Sequence, residues 1–162
     1  MVNEVLQWAV LAGLGVLLLG LVHQLAGATP SRTDGPSGPE VGRRLPDLLV
    51  DKIQRAEGDG SLPRRGLVAF VVESCIGCQH LLASLQQRSS FEDRPVVLVA
   101  KQPSSTFLHA LNDIGHPVIQ VDGALWQACG ITNTPLIVEI DDRGQVLAKG
   151  VTHNVDAVGQ PA

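Results

Sequence analysis

The most distinct hydrophobic pattern in the chain is a change of period near its centre. Residues 68–72 form a continuous apolar run, typical of a strand that is buried on both faces. Beyond it, apolar residues recur at the three- and four-residue spacing of one helix face. They are Cys78, Leu81, Leu82 and Leu85. The pattern predicts a strand and then a helix over residues 75–88, with Cys75 and Cys78 near the junction.

Similar runs alternate with helical periods in the rest of the chain. The predicted strands span residues 95–100, 117–121, 136–140 and 145–149, and the predicted helices span 102–113 and 123–129. Asp141-Asp142-Arg143-Gly144 between the last two strands is a hairpin signal. The apolar positions from Leu45 to Ile53 fit either an edge strand or a helical turn. This order predicts an α/β fold with a central mixed sheet flanked by helices.

The first 27 residues differ from the rest in composition. Val5 to Gly27 contains no Asp, Glu, Lys or Arg, and about 20 apolar residues suffice to cross a bilayer. Ala26-Gly27-Ala28 resembles the cleavage site of a signal peptide, but residues 1–4 lack its basic start and the apolar stretch is longer than usual. We therefore predict one N-terminal transmembrane helix within residues 1–27.

Residues 28–44 are rich in proline and glycine. Such a composition cannot bury a hydrophobic face, so it predicts a linker between the anchor and a domain spanning 45–162. The whole chain of 162 residues has room for that one domain and a short extra segment. A net charge of −4 without a run of Lys or Arg excludes nucleic acid as an expected partner.

The junction between strand and helix carries the candidate chemistry. With Ser74 as the predicted N-cap, Cys75 lies in the first helical turn, where unpaired N–H groups favour a thiolate. Cys78 belongs to the apolar stripe, so we expect Cys75 to attack and Cys78 to resolve. A helix dipole supplies roughly 0.3–1 kcal/mol, whereas lowering a pKa by two units needs about 2.7 kcal/mol. Hydrogen bonds must supply the rest, and Glu73 opposes the shift.

Cysteine pairs at this spacing have other known uses. A zinc site with His80 as a third ligand lacks a second cysteine pair, and a c-type haem needs histidine where Gln79 stands. We therefore expect no metal and no cofactor. A structural disulfide, or a redox-silent pair in a docking domain, stays open. Cys129 is either a third redox sulfur or a small buried thiol, and Glu139 and Lys149 on the predicted hairpin are expected to be solvated.

Two motifs together resemble the thioredoxin superfamily over residues 45–155. One is the strand followed by Cys75-Ile76-Gly77-Cys78, and the other is the stretch 126–135, ending in Thr134-Pro135 before a strand and hairpin. In that family the residue matching Pro135 is a cis-proline that faces the cysteine pair, and its loop hydrogen-bonds the extended substrate. The resemblance implies that Cys75 and Cys78 are catalytic. It also implies four substrate-binding residues, which are Ile76, Gly77, Thr134 and Pro135.

The anchor, the linker and the ending over residues 140–150 look most like the membrane-anchored MauD and TlpA-type thiol–disulfide oxidoreductases of bacteria. That resemblance implies a single-pass protein of the cytoplasmic membrane, with its domain on the periplasmic or extracellular side and protein thiols or disulfides as substrates. Arg32, Arg43 and Arg44 follow the anchor and favour the opposite orientation. We follow the resemblance, because secreted proteins need disulfide chemistry.

The chain also departs from the superfamily pattern. Ser74 stands where many thioredoxins have tryptophan, and Ala69 aligns with their buried acid, so proton transfer to the second thiol lacks help or receives it from another group such as Glu73. The segment beyond Gly150 is too short for a long final helix and leaves one sheet face partly uncovered. Two hypotheses follow: a membrane-tethered oxidoreductase, or a non-catalytic subunit of a membrane complex.

Overall fold

The computed structural model describes residues 37–58, 60–87 and 94–151. The predicted transmembrane helix lies outside these ranges, as do most of the predicted linker and the last eleven residues. Within these ranges, no helix is both long and apolar enough to cross a bilayer. The anchor therefore stays a prediction from the sequence.

Four helices and five strands make up the described part of the domain. The helices are α1 (Asp47–Glu57), α2 (Ile76–Gln86), α3 (Ser105–Asn112) and α4 (Gly123–Ala128). The strands are β1 (Arg65–Val71), β2 (Val96–Lys101), β3 (Val118–Val121), β4 (Leu136–Asp141) and β5 (Val146–Val151). Every predicted strand and helix of the second half is present, with ends shifted by at most a few residues. The undecided stretch from Leu45 to Ile53 contributes to a helix, α1.

The strands form one mixed sheet in the order β3-β2-β1-β4-β5. β1, β2 and β3 run parallel, whereas β4 is antiparallel to both β1 and β5. β1 therefore lies at the centre of the sheet, where Ala69 pairs with Leu98 on one side and with Ile137 on the other. The central position explains why its apolar run is continuous, since both faces of β1 are covered.

Alternate residues of β1 face two separate apolar clusters. Val68 and Phe70 point to the side of α1 and α4, where the Phe70 and Trp126 rings meet edge to face with centroids 5.8 Å apart. Leu67, Ala69 and Val71 point to the side of α2 and α3. The cysteine helix is thus held against the sheet by one of two buried layers.

The segment of residues 37–45, which we call the N-terminal strap, packs on the domain. The Gly42 N–H bonds the Val146 carbonyl at 2.8 Å, the Val146 N–H bonds the Arg43 carbonyl at 2.8 Å, and the Leu45 N–H bonds the Gly144 carbonyl at 2.9 Å. Leu45 itself is buried in the core. The packed domain therefore begins before residue 45, and residues 37–44 belong to it although their composition is that of a linker.

The hairpin pattern predicts that Glu139 is solvated, and this prediction is wrong. Glu139 is completely buried. It lies on β4 opposite Leu67 of β1, on the sheet face that α2 covers. The Arg65 Nε donates to its Oε1 at 2.6 Å, and its Oε2 has no hydrogen-bond partner among the described residues. The prediction fails because β4 pairs on both sides, so its position in the sheet outweighs its position beside a turn.

Candidate active site

Cys75 is the N-cap of α2, not a residue of its first turn. The helix begins at Ile76, and the Cys75 backbone is extended, with φ −98° and ψ 114°. Its Sγ accepts a hydrogen bond from the Cys78 N–H at 3.2 Å. The sulfur therefore has the place that a serine or aspartate oxygen has in other helices, and it satisfies one of the unpaired N–H groups. Ser74, the predicted cap, lies one residue too early.

The two cysteines differ in accessibility. Cys75 is partly exposed, whereas Cys78 is fully buried among the apolar residues under α2, and both are free thiols. Ile76 between them is 71% exposed. A partner can therefore reach the first sulfur and an apolar side chain beside it, while the second sulfur is closed off from solvent.

The pKa values of the pair are shifted apart. Burial raises the pKa of Cys75, but hydrogen bonds from Cys78, from the Thr134 side chain and from the Gly77 backbone outweigh it, so this pKa lies below its usual value. Burial, together with the hydrogen bond to Cys75, raises the pKa of Cys78 to about 11. Near neutral pH the negative charge is therefore more stable on the accessible sulfur, which is the form that attacks disulfides.

The loop before β4 faces the cysteine pair. Its Thr134–Pro135 peptide bond is cis, as the resemblance implies. The Cys75 thiol donates to the Thr134 carbonyl oxygen at 3.3 Å. A Cβ atom on Gly77 would lie 2.9 Å from the Pro135 Cδ, so only glycine at this position lets the proline ring approach the helix so closely. The structure thus brings together the six predicted site residues.

Glu73 does not face the cysteines. Its carboxylate accepts hydrogen bonds from the Ser104 hydroxyl at 2.9 Å and from the Ser104 N–H at 3.3 Å. The Ser104 hydroxyl in turn caps α3 by accepting from the Phe107 N–H at 3.1 Å. A negative charge at this helix N-terminus is favourable. Glu73 therefore supports α3, and no contact made by it opposes or assists the chemistry of Cys75.

Among the residues that the structure describes, the fully buried acid is Glu139, which the sequence pattern did not reveal. Ala69 is completely buried in the apolar cluster that contains Cys78, so β1 offers no acid there. Glu139 lies on the same sheet face, beside Leu67 and two residues along from Ile137, the β4 partner of Ala69. The signal that could have revealed it is topological: a strand that follows the proline loop pairs directly with β1.

Cys129 lies away from the pair. It caps the C-terminal end of α4 and is buried on the α1 side of the sheet, whereas Cys78 lies on the α2 side. Burial raises its pKa to about 11. These properties are those of a small buried thiol. In the ranges that the structure describes, no three His, Cys, Asp or Glu side chains converge as a metal site would require.

Comparison with known proteins yields relatives of one kind. The chain is 31% identical over 166 residues to the methylamine utilization protein MauD of Methylorubrum extorquens, covering 93% of this chain and 79% of that protein. It is 27% identical over 173 residues to MauD of Methylophilus methylotrophus, covering 96% of this chain and 79% of that protein. No family model matches the chain.

Solved structures share the fold. The thioredoxin domain of a thiol–disulfide oxidoreductase from Bacteroides vulgatus superimposes with a TM-score of 0.53 at 15% identity. The match covers 70% of this chain and 90% of that domain. At this identity the likeness concerns the fold alone, and it agrees with the mixed sheet and the helix that begins after Cys75.

Proposed function

Because the chain belongs to the MauD family of thioredoxin-like thiol–disulfide oxidoreductases, we propose that it exchanges disulfides with extracytoplasmic protein substrates while tethered to a membrane. The observation that carries this proposal is the Cys75 sulfur. It is accessible, accepts the Cys78 N–H at 3.2 Å, has a lowered pKa and lies against the Thr134–Pro135 loop. A buried second thiol follows three residues later.

The chemistry that this arrangement supports has two steps. The Cys75 thiolate attacks one sulfur of a substrate disulfide, forming a mixed disulfide and releasing the other substrate sulfur as a thiolate. Cys78 then loses its proton and attacks the Cys75 sulfur, which releases the second substrate thiolate and closes the Cys75–Cys78 disulfide. Two electrons pass to the substrate, and its two sulfurs take up protons. The reverse sequence oxidises a substrate dithiol.

Four residues line the side from which a substrate would approach. We assign Ile76, Gly77, Thr134 and Pro135 to substrate binding. The exposed Ile76 offers an apolar contact beside the reactive sulfur. The Thr134 carbonyl, which now accepts from the Cys75 thiol, offers a backbone acceptor to an extended chain once Cys75 is ionised or covalently bound. A protein strand that presents a disulfide fits this surface.

The membrane part of the proposal rests on the apolar residues 5–27 and on the chemistry. Disulfides persist outside the cytoplasm, so we place the domain on the periplasmic or extracellular side of the cytoplasmic membrane. A membrane-impermeant maleimide added to intact spheroplasts tests this placement. Labelling of Cys75 before lysis supports it, and labelling that appears only after lysis contradicts it.

Trapping of the mixed disulfide tests the exchange itself. In Cys78→Ser the second step is blocked, so the full-length protein in its own membranes should accumulate adducts that dithiothreitol releases. Cys75→Ser should form none, and Cys129→Ser, as the matched control, should behave like the unmodified protein. Adducts that are absent from Cys78→Ser, or equally abundant in Cys75→Ser, would sink the proposed mechanism.

A second candidate function is a non-catalytic subunit of a membrane complex. The observation that favours it is Ala69, which leaves the buried Cys78 thiol, with its pKa near 11, without an acid on β1. In that case the pair would not change its redox state when substrate proteins are added. The trapping experiment separates the two functions, because a docking subunit forms no covalent adducts.

A further inference from the structure

The N-terminal strap reaches the loop that faces the cysteines. Ser37 is only 4% exposed, and with Glu139 it is one of two almost fully buried polar residues in the described ranges. Its Oγ accepts a hydrogen bond from the Asn133 N–H at 3.1 Å. Its carbonyl oxygen accepts from the Lys149 Nζ at 3.1 Å. A buried serine therefore joins the strap to the proline loop and to β5.

Gly38 holds the strap to the same loop at a second point. Its N–H bonds the Gly130 carbonyl oxygen at 2.7 Å. Its φ of 78° favours glycine, and a Cβ there would overlap the Leu136 Cδ2. The strap is thus bound at Gly130 and at Asn133, on both sides of a stretch that belongs to no helix or strand.

The residue that contacts Ser37 is next in sequence to the residue that contacts the reactive sulfur. The Asn133 N–H donates to Ser37, and the carbonyl oxygen of the next residue, Thr134, accepts from the Cys75 thiol at 3.3 Å. A loop without regular structure depends on such contacts for its position. If the Asn133 N–H loses its acceptor, the neighbouring Thr134 loses its alignment on Cys75.

We propose that Ser37 is a positioning residue for thiol–disulfide exchange. It holds residues 133–135 against Cys75, so the N-terminal strap forms part of the active-site architecture. The inference rests on the proposed function for its chemistry. It goes beyond that function by giving the strap a role in reactivity. The contact to Cys75 passes through Thr134, and Ser37 itself touches neither the cysteines nor the exposed substrate surface.

The test of this role is the rate of Cys75 alkylation as a function of pH in the full-length reduced protein. Peptide mass spectrometry identifies Cys75 as the alkylated residue. In Ser37→Ala we expect the midpoint of the profile to move to higher pH, because displacement of Thr134 weakens the side-chain hydrogen bond from Thr134 that lowers the Cys75 pKa. At neutral pH the rate should fall about two- to tenfold, the range for loss of one hydrogen bond. Ser37→Thr, which keeps the hydroxyl, should restore the profile.

The matched control is Gln145→Ala. The Gln145 Nε2 donates to the Gly42 carbonyl oxygen at 2.8 Å, so this variant loosens the strap away from the proline loop. It should lower the thermal unfolding midpoint and leave the alkylation profile unchanged. An unchanged profile in Ser37→Ala, with an unfolding midpoint lowered as in Gln145→Ala, would give Ser37 a structural role only.

Lys149→Met provides a second variant in case Ser37→Ala does not fold. It removes the hydrogen bond to the Ser37 carbonyl oxygen without altering the loop, and we expect a shift in the same direction but smaller. If both variants fold and keep the original profile, the proposal is wrong. Failure of the proposed function is a separate result, since adducts would then be missing from Cys78→Ser while the alkylation profile of the unmodified chain stays measurable.

Discussion

The Cys75 sulfur both caps α2 and faces the Thr134–Pro135 loop. The first contact explains how a residue that is not inside the helix gains a lowered pKa, since the hydrogen bond from the Cys78 N–H adds to the roughly 0.3–1 kcal/mol that a helix N-terminus supplies. Cys78, three residues further on, is buried, and its pKa is raised to about 11, so it stays protonated near neutral pH. The asymmetry that exchange requires is therefore already present in the reduced pair.

Gly77 allows the close approach of helix and loop. Gly77→Ala should push the Pro135 ring away, because the added Cβ would lie 2.9 Å from its Cδ, and a proline ring cannot rotate aside. We expect mixed-disulfide formation by Cys75 to slow by roughly ten- to a hundredfold, as for other small misplacements of reacting groups. The rate is measured with a small aromatic disulfide in stopped flow.

Gly123→Ala is the control for that change. Gly123 is the first residue of α4, and a Cβ there meets nothing within 4 Å. The added methyl group should leave the exchange rate unchanged. Equal rates for Gly77→Ala and the unmodified protein would mean that the loop contact does not limit the reaction.

The buried thiols also predict a loss of stability in alkali. Burial raises the pKa of both Cys78 and Cys129 to about 11, above their value in the unfolded chain. Between about pH 9 and 11 the unfolded state therefore binds fewer protons, and the free energy of unfolding of the reduced protein falls as pH rises. The stability that these thiols contribute is complete below the unfolded pKa and is lost as pH approaches 11.

Urea denaturation of the reduced protein between pH 8 and 11 measures this slope. Cys129→Ala removes one of the two groups, so its slope should be clearly shallower, whatever the variant costs in absolute stability. A slope that stays the same in Cys129→Ala would show that this thiol ionises equally well in the folded protein.

At the scale of elements, an ion pair joins β1 to β4, and only one of its two side chains is buried. Glu139 is completely buried, while the Arg65 side chain is 60% exposed. Arg65→Met should therefore lower the free energy of unfolding by about 1–3 kcal/mol, because it leaves a buried carboxylate without its partner. Urea denaturation at neutral pH gives the value.

The double variant Arg65→Met with Glu139→Gln separates charge from packing. An amide has the shape of the carboxylate but no charge, so the double variant should regain part of the loss. If it is as unstable as the sum of both single variants, the contact between Arg65 and Glu139 is not the cause of the destabilisation.

The elements that could be predicted are those whose pattern is local. The apolar run of β1, the stripe of α2 and the hairpin signal Asp141-Asp142-Arg143-Gly144 all depend on neighbours in sequence, and the strand, the helix and the hairpin are all present. Leu45 to Ile53 stayed undecided, because a few apolar residues fit both periods. The stretch contributes to the helix α1, in which Leu49, Val50 and Ile53 are buried against the sheet.

What could not be predicted depends on contacts between distant residues. The burial of Glu139 follows from the pairing of β4 with β1, and the burial of Ser37 follows from its contacts with Asn133 and Lys149, about 100 residues away. The six candidate site residues were named from the sequence, two by their position at the strand–helix junction and the others through family resemblance. The structure brings them together, and their roles in catalysis and substrate binding stay predictions. The capping role of Cys75 was missed by one residue.

At the scale of the whole molecule, the packed domain extends further toward its N-terminus than composition indicates. The strap bonds to β5 and reaches the proline loop, where Ser37 accepts from the Asn133 N–H. The edge strand β5 keeps Leu147 and Val151 partly exposed. The partly uncovered sheet face stays a prediction, since the residues beyond 151 lie outside the described ranges.

The central claim is that Cys75 and Cys78 form a working redox pair. The direct measurement equilibrates the full-length protein in membranes with glutathione or dithiothreitol buffers of graded potential and counts free thiols by mass after alkylation. We predict one two-electron transition that involves Cys75 and Cys78 and leaves Cys129 unchanged. A pair that never closes, or a disulfide that strong reductant never opens, would contradict the account.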